Sequence, residues 1–151
     1  KPSSAASDVY KRQERNILHI VNSKENKSRF VLVPDFLISA LQEYDQRTGI
    51  TSGYMLRQLR DSECPLTSNT VKMIFQDLKI STGIDRLHAH LLRHTFAISY
   101  LIGGGNLEFL RVFLGHYDYA ATKTYVAMAA QMKLLGAPVY QLDPIFFQRG
   151  Y

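Results

Sequence analysis

Between Leu87 and Val126 the chain reads LHAHLLRHTFAISYLIGGGNLEFLRVFLGHYDYAATKTYV, and in it two histidines, an arginine and a tyrosine stand in a fixed order. His90 and Arg93 are three apart, so on a helix they share a face and approach one ligand together. Asn106 is placed to start a short helix, LEFLRVFL, that Gly115 closes, which leaves His116 just past the helix end. Tyr125 follows nine residues after His116. A guanidinium fork and an imidazole near a helix N-terminus both suit an oxyanion, so a phosphate beside His90 and Arg93 makes physical sense on its own.

Several elements must position these groups. The helix after Asp85 begins near 88 to 90 and runs through Leu91, Leu92, Phe96, Ala97, Ile98, Leu101 and Ile102 to the glycines at 103 to 105. It is apolar nearly all round beyond its first turns, which predicts a central, buried helix. Asp118 caps the next one, from Tyr119 to about Leu135, which Gly136 and Pro138 stop. Tyr125, Met128, Met132 and Leu135 fall on one face of it. Taken alone, a tyrosine on such a stripe reads as a core residue with a satisfied hydroxyl.

Upstream, ILHIV at 17 to 21 and FVLV at 30 to 33 are short β-branched and aromatic runs joined by the polar NSKENKSR, which predicts a β-hairpin. Pro34 ends the strand, Asp35 is placed to cap a helix carrying Phe36, Leu37, Ala40, Leu41 and Tyr44, and Gly49 closes it. Residues 50 to 66 carry mixed signals and read as a loop with short strand or helix pieces. Thr67 or Ser68 then caps a second amphipathic helix with Val71, Ile74, Phe75 and Leu78 as its buried stripe. Its lysines, with Arg57 and Arg60, could meet phosphates or simply keep a surface solvated. In the tail, Val139, Leu142, Ile145 and Phe146 are available for burial.

At 151 residues the chain fits one domain with a real core, and 46% hydrophobic content argues against disorder. Eighteen Lys and Arg against thirteen Asp and Glu give a formal charge of +5, which favours a polyanionic partner without naming one. One cysteine, Cys64, staples nothing and suits a reducing cytosol. No apolar run approaches the roughly 18 residues of a membrane helix, and no signal peptide is visible. Residues 1 to 13, KPSSAASDVYKRQ, are small and polar without a period that buries a face, and read as a linker or disordered arm. SSAASDVYKRQ also resembles a translated sequencing-adapter read-through, which would start the native sequence near Glu14 and leave 14 to 151 as a partial catalytic domain.

HLLRHTFA followed by LGHYDYAATKTY resembles the C-terminal half of the tyrosine recombinase (phage integrase) catalytic domain, over roughly residues 17 to 126. The resemblance implies an α+β, mainly α-helical fold of the DNA breaking-rejoining type: a helical catalytic domain with a small N-terminal β-hairpin. It implies site-specific recombination or integration of double-stranded DNA through a covalent 3′-phosphotyrosyl intermediate, with no metal and no cofactor. Its partners would be DNA and further copies of the chain, a tetramer on paired DNA sites, in the cytoplasm. SKENKSRFVLVP resembles the family's hairpin, whose turn lysine reaches the cleavage site. That match gives Lys24 the catalytic place with Lys27 as the alternative, although Glu25 stands where glycine is usual. Two lysines in a solvated turn are otherwise unremarkable.

By the same resemblance Tyr125 is the nucleophile, and His90 handles protons. Arg93 forks onto two phosphate oxygens, His116 adds a hydrogen bond where charge grows, and Lys24 protonates the leaving 5′-oxygen. A tyrosine loses its proton only near pH 10, so attack needs a base beside it. The family's other arginine, in a TGxR context before the hairpin, has no counterpart, since Arg12 and Arg15 lack that context. Losing such a donor costs about 100- to 1,000-fold in rate, so this stretch alone is expected to be feeble. The family's separate N-terminal DNA-binding domain is also absent from it, which should weaken site recognition. Two rivals remain: a zinc site at His88, His90 and His94, for which no Cys or carboxylate pattern completes the shell, and a non-catalytic DNA-binding or regulatory remnant.

Overall fold

The computed structural model describes residues 9–12, 16–20, 28–49, 54, 56–58 and 64–148. The chain divides into two compact units, Lys1–Ile74 and Phe75–Tyr151.

The first unit holds a three-stranded antiparallel sheet, β1 (Val9–Arg12), β2 (Ile17–Ile20) and β3 (Arg29–Leu32), in the order β1-β2-β3. Ile17 pairs with Leu32 and Ile20 with Arg29, so the two apolar runs pair antiparallel as expected. The His19 ring stacks on Phe30 with centroids 4.4 Å apart. Val9–Arg12 departs from expectation: read as part of an arm, it pairs with β2, Val9 opposite Ile20 and Arg12 opposite Ile17. Its polar composition hides this, because an edge strand needs main-chain partners more than an apolar face.

Helix α1 (Asp35–Thr48) follows Pro34, which occupies the cap position without a side-chain bond. Asp35 is therefore not the cap. It lies in the first turn, where its charge suits the helix dipole, and accepts from the Asn16 amide. Gly49, at φ 66°, ends the helix in the left-handed conformation that glycine adopts without strain. In the 50 to 66 stretch Arg57 bridges to Pro65, and Gln58 N–H donates to Cys64 O at 3.0 Å, so a short strand piece does form there.

Helix α2 (Ser68–Thr82) is capped by Thr67, whose hydroxyl accepts from Thr70 N–H at 3.1 Å. Its expected buried stripe is not buried: Ile74 and Leu78 are exposed, Val71 and Phe75 half-buried. Periodicity reports which side chains share a face, and says nothing of what covers that face.

The second unit is built on α3 (Ala89–Ile102), which packs against α5 (Tyr119–Leu134) and α4 (Leu107–Leu114). Ala97, Leu110, Leu114, Thr122, Tyr125 and Ala129 close the seam. Small side chains at 97, 122 and 129 let the helices come close. The buried face of α5 is thus Thr122, Tyr125 and Ala129, and not the expected Tyr125, Met128, Met132 and Leu135; Met128 and Leu135 are exposed. Helix α3 is central to this unit as expected, though Leu92 faces outward.

Beside the seam lies an aromatic cluster. Phe96 stacks on Phe113 at 4.9 Å, Tyr100 on Phe147 at 5.3 Å, and the edge of Phe146 meets Phe96 at 5.2 Å. Such pairs contribute about 0.5–1.5 kcal/mol each beyond burial. Phe146 and Phe147 belong to the short α6 (Ile145–Gln148), so this part of the tail packs onto its own unit.

Candidate active site

The site is assembled at the α3/α5 seam by three local devices. His88 caps α3, its Nδ1 accepting from Leu91 N–H at 3.1 Å, which consumes this histidine structurally. Asn106 caps α4 through Phe109 N–H, and Gly115, at φ 72°, turns the chain out of α4 so that His116 follows at once. Asp118 caps α5 through the amides of Ala120 and Ala121, which fixes the phase of Tyr125 two turns later.

Three of the expected residues come together. Arg93 Nη2 donates to Leu114 O at 2.6 Å, which lays its guanidinium across the C-terminal end of α4. The His116 ring lies parallel to that of Tyr125, with centroids 6.2 Å apart and planes 8° apart. His116 Nδ1 is 2.8 Å from the hydroxyl of the fully buried Thr122. Burial holds the His116 imidazole below its ordinary 6.5, the nearby Arg93 charge adds to this, and Asp118 opposes it. The ring is therefore mainly neutral at pH 7.

Tyr125 is only 6% exposed, and its hydroxyl lies 2.8 Å from Nδ1 of His94. His90 is exposed one turn earlier, its ring 6.3 Å from that of His94. Among the described residues it is His94 that holds the phenol. Lys24 and Lys27 lie outside the described residues.

Sequence reasoning passed over three contributors. His94 figured in a histidine cluster and, without a role, in the HLLRHTFA motif, yet it sits one position after Arg93 and so projects from the adjacent flank of α3. Thr122, which precedes Tyr125 by three, shares its face of α5. Arg111 donates from Nη1 to the carbonyls of His116 at 3.1 Å and Tyr117 at 3.3 Å, and forks onto Glu108 at 2.9 and 2.5 Å. Its spacing of three from Glu108 was the available signal. Among the described residues no three His, Cys, Asp or Glu side chains are placed to hold a metal ion, so the geometry lends the zinc reading no support.

The model of the phage integrase family matches residues 8–132. The chain belongs to the phage integrase family. Its integrase relatives include the tyrosine recombinase XerD of Caulobacter vibrioides, 32% identical over 120 residues, and XerC of Staphylococcus epidermidis, 28% identical over 116. Each alignment takes in 74% of this chain, but 39% and 38% of those relatives, so the chain spans about two fifths of their length. Among solved structures it resembles the crystal structure of XerA recombinase, with a TM-score of 0.67 at 28% identity over 84% of this chain and 48% of that one. The fold is also that of XerH recombinase in its post-cleavage complex, at a TM-score of 0.64 and 20% identity over 85% of this chain and 37% of that one. No described helix of this integrase-family chain is long and apolar enough to cross a membrane.

Proposed function

We propose that the chain is the catalytic part of a site-specific DNA recombinase in which Tyr125 attacks a DNA phosphodiester. One observation carries this reading. A member of the phage integrase family holds its tyrosine in the α3/α5 seam, ring to ring with His116, while Arg93 spans the end of α4 just before that histidine. The Tyr125 oxygen forms a bond to phosphorus, the P–O5′ bond breaks, and a 3′-phosphotyrosyl ester remains. A second 5′-hydroxyl then reverses the step.

Arg93 has five N–H donors, of which Leu114 O takes one, and the rest of the fork suits two non-bridging oxygens. If Nδ1 accepts from the Thr122 hydroxyl 2.8 Å away, a neutral His116 carries its proton on Nε2 and donates where charge develops on phosphate. The resemblance gives His90 the role of handling the tyrosine's proton. Lys24, or Lys27 in its stead, protonates the leaving 5′-oxygen. Because Tyr125 is only 6% exposed, the seam must open around its hydroxyl as the duplex docks.

Double-stranded DNA is the proposed partner, as the XerH complexes are with difH substrate, and the formal charge of +5 agrees with it. Recombination pairs two duplexes, so further copies of the chain would assemble on paired sites, in the cytoplasm. The test is a pool of nicked suicide duplexes with randomised sequence around the nick. Denaturing gels should show a protein–DNA adduct that Tyr125→Phe abolishes. Duplex retained with no adduct, on incubations long enough to register a rate slowed about 1,000-fold, would leave a non-catalytic DNA-binding module and refute the enzyme.

A further inference from the structure

The Tyr125 hydroxyl has a partner that the family resemblance does not supply. Its oxygen is 2.8 Å from His94 Nδ1, and the rings lie 5.4 Å apart at 51°, an in-reach geometry for a hydrogen bond along the imidazole edge. In the resting seam Tyr125 is buried on α5, and His94 follows Arg93, whose side chain is tied to Leu114 at the end of α4. His90, the residue expected to manage protons, is exposed and one turn away.

We propose that His94 positions the Tyr125 phenol and accepts its proton through Nδ1 when the oxygen attacks phosphorus. This inference rests on the recombinase reading and sharpens it. This role requires the phenol to be the donor in the resting pair, with His94 carrying its own proton on Nε2. As the oxygen–phosphorus bond forms, the phenolic O–H breaks and an Nδ1–H forms, giving an imidazolium. The P–O5′ bond opens, and the 5′-oxygen is protonated by the reaction's separate general acid. In religation the imidazolium returns its proton to the departing phenolate. Phenols hold a proton more tightly than imidazolium does, so transfer accompanies attack and does not precede it. The charges that bear on His94 are Arg93 and His90 on its own helix, and His116 across the Tyr125 ring. His90 is left to serve the phosphate.

The experiment compares the chain with His94→Asn, His94→Ala and Tyr125→Phe on the randomised nicked duplexes. Each duplex is made with either an ordinary or a 5′-bridging phosphorothiolate linkage. A thiolate leaves without a proton, so the second substrate bypasses the general acid but still needs the base. His94→Asn, which keeps a polar atom near Nδ1 but titrates nowhere in range, should slow adduct formation about 100-fold on both substrates and remove the fall in rate at acid pH. Added imidazole should restore part of the His94→Ala rate, a result that misfolding cannot mimic. If His94→Asn stays within about threefold of the parent with an unchanged pH profile, His94 is structural and the inference is wrong. A deficit confined to the ordinary linkage would make it an acid and overturn the assignment too. No adduct from the parent chain on either duplex, on incubations long enough to register a rate slowed about 1,000-fold, would refute the recombinase reading and this inference with it.

Discussion

The Arg93 guanidinium donates to the carbonyl of Leu114 at 2.6 Å, joining the first turns of α3 to the residue just before the Gly115 turn that carries His116. The cation sits at the negative end of α4, where a carbonyl lacks a helical partner, so one side chain ties the loop to α3. Arg93→Lys keeps the charge but loses the fork. Adduct formation on nicked duplex is expected to fall about 100- to 1,000-fold. Stability in urea should drop by only about 1–2 kcal/mol, the usual worth of a hydrogen bond with a charged donor. Equal stability loss with undiminished cleavage would confine Arg93 to the scaffold.

His116 makes folding pH-dependent. Burial, then the Arg93 charge, hold its folded pKa below the ordinary 6.5. The unfolded chain binds that proton more readily, so this contribution is fully present above pH 6.5 and is lost as pH falls through the lower, folded value. The urea midpoint should therefore decline below pH 6.5, and His116→Gln should flatten that part of the curve. An identical pH dependence in the variant would show that another group is responsible.

Arg111 is the latch on the same loop. It grips Glu108 with two N–H groups, receives the Tyr119 ring 5.2 Å from its guanidinium carbon, and reaches the carbonyls of His116 and Tyr117. The Tyr119 hydroxyl also donates to Glu108. The bonds from Arg111 and then Tyr119 pull the Glu108 carboxyl down to about 2, so the latch stays charged until strongly acid pH. Arg111→Ala should speed hydrogen exchange at Tyr117 and Tyr119 severalfold while leaving Ala97 and Tyr100 in α3 as they were. Adding Glu108→Gln should then change little, because both substitutions open one network.

The site was legible in outline because its order is local: caps at Asn106 and Asp118 and the turn at Gly115 are read one residue at a time, and they set the phase of His116 and Tyr125. The neighbours of those residues were less legible. That His94 meets Tyr125 depends on how α3 and α5 face each other, and the α5 pattern misleads here: Met128, Met132 and Leu135 share a face with Tyr125 in the sequence, whereas Thr122 and Ala129 are the residues buried beside it. Edge strand β1 was missed for a related reason, since main-chain pairing leaves little trace in polar residues.

A last prediction concerns the turn between α3 and α4. A Cβ on Gly105 would fall 2.2 to 2.4 Å from carbons of the Tyr100 ring, far inside contact distance. The ring cannot retreat, being 3% exposed with Phe109 at 5.4 Å and Phe147 at 5.3 Å around it. Its hydroxyl also accepts from Asn106 N–H at 3.1 Å, at the residue that caps α4. Gly105→Ala should thus cost about 1–3 kcal/mol, the range for forcing an extra carbon into a packed site, and loosen the start of α4. Gly104 makes the control: its φ of 88° strains any side chain, but a Cβ there meets nothing within 4 Å. Thermal melts should show Gly105→Ala coupled to Tyr100→Leu, the pair costing less than the sum, while Gly104→Ala and Tyr100→Leu add independently. Additivity in both pairs would mean that the Tyr100 ring is not what excludes a side chain at 105.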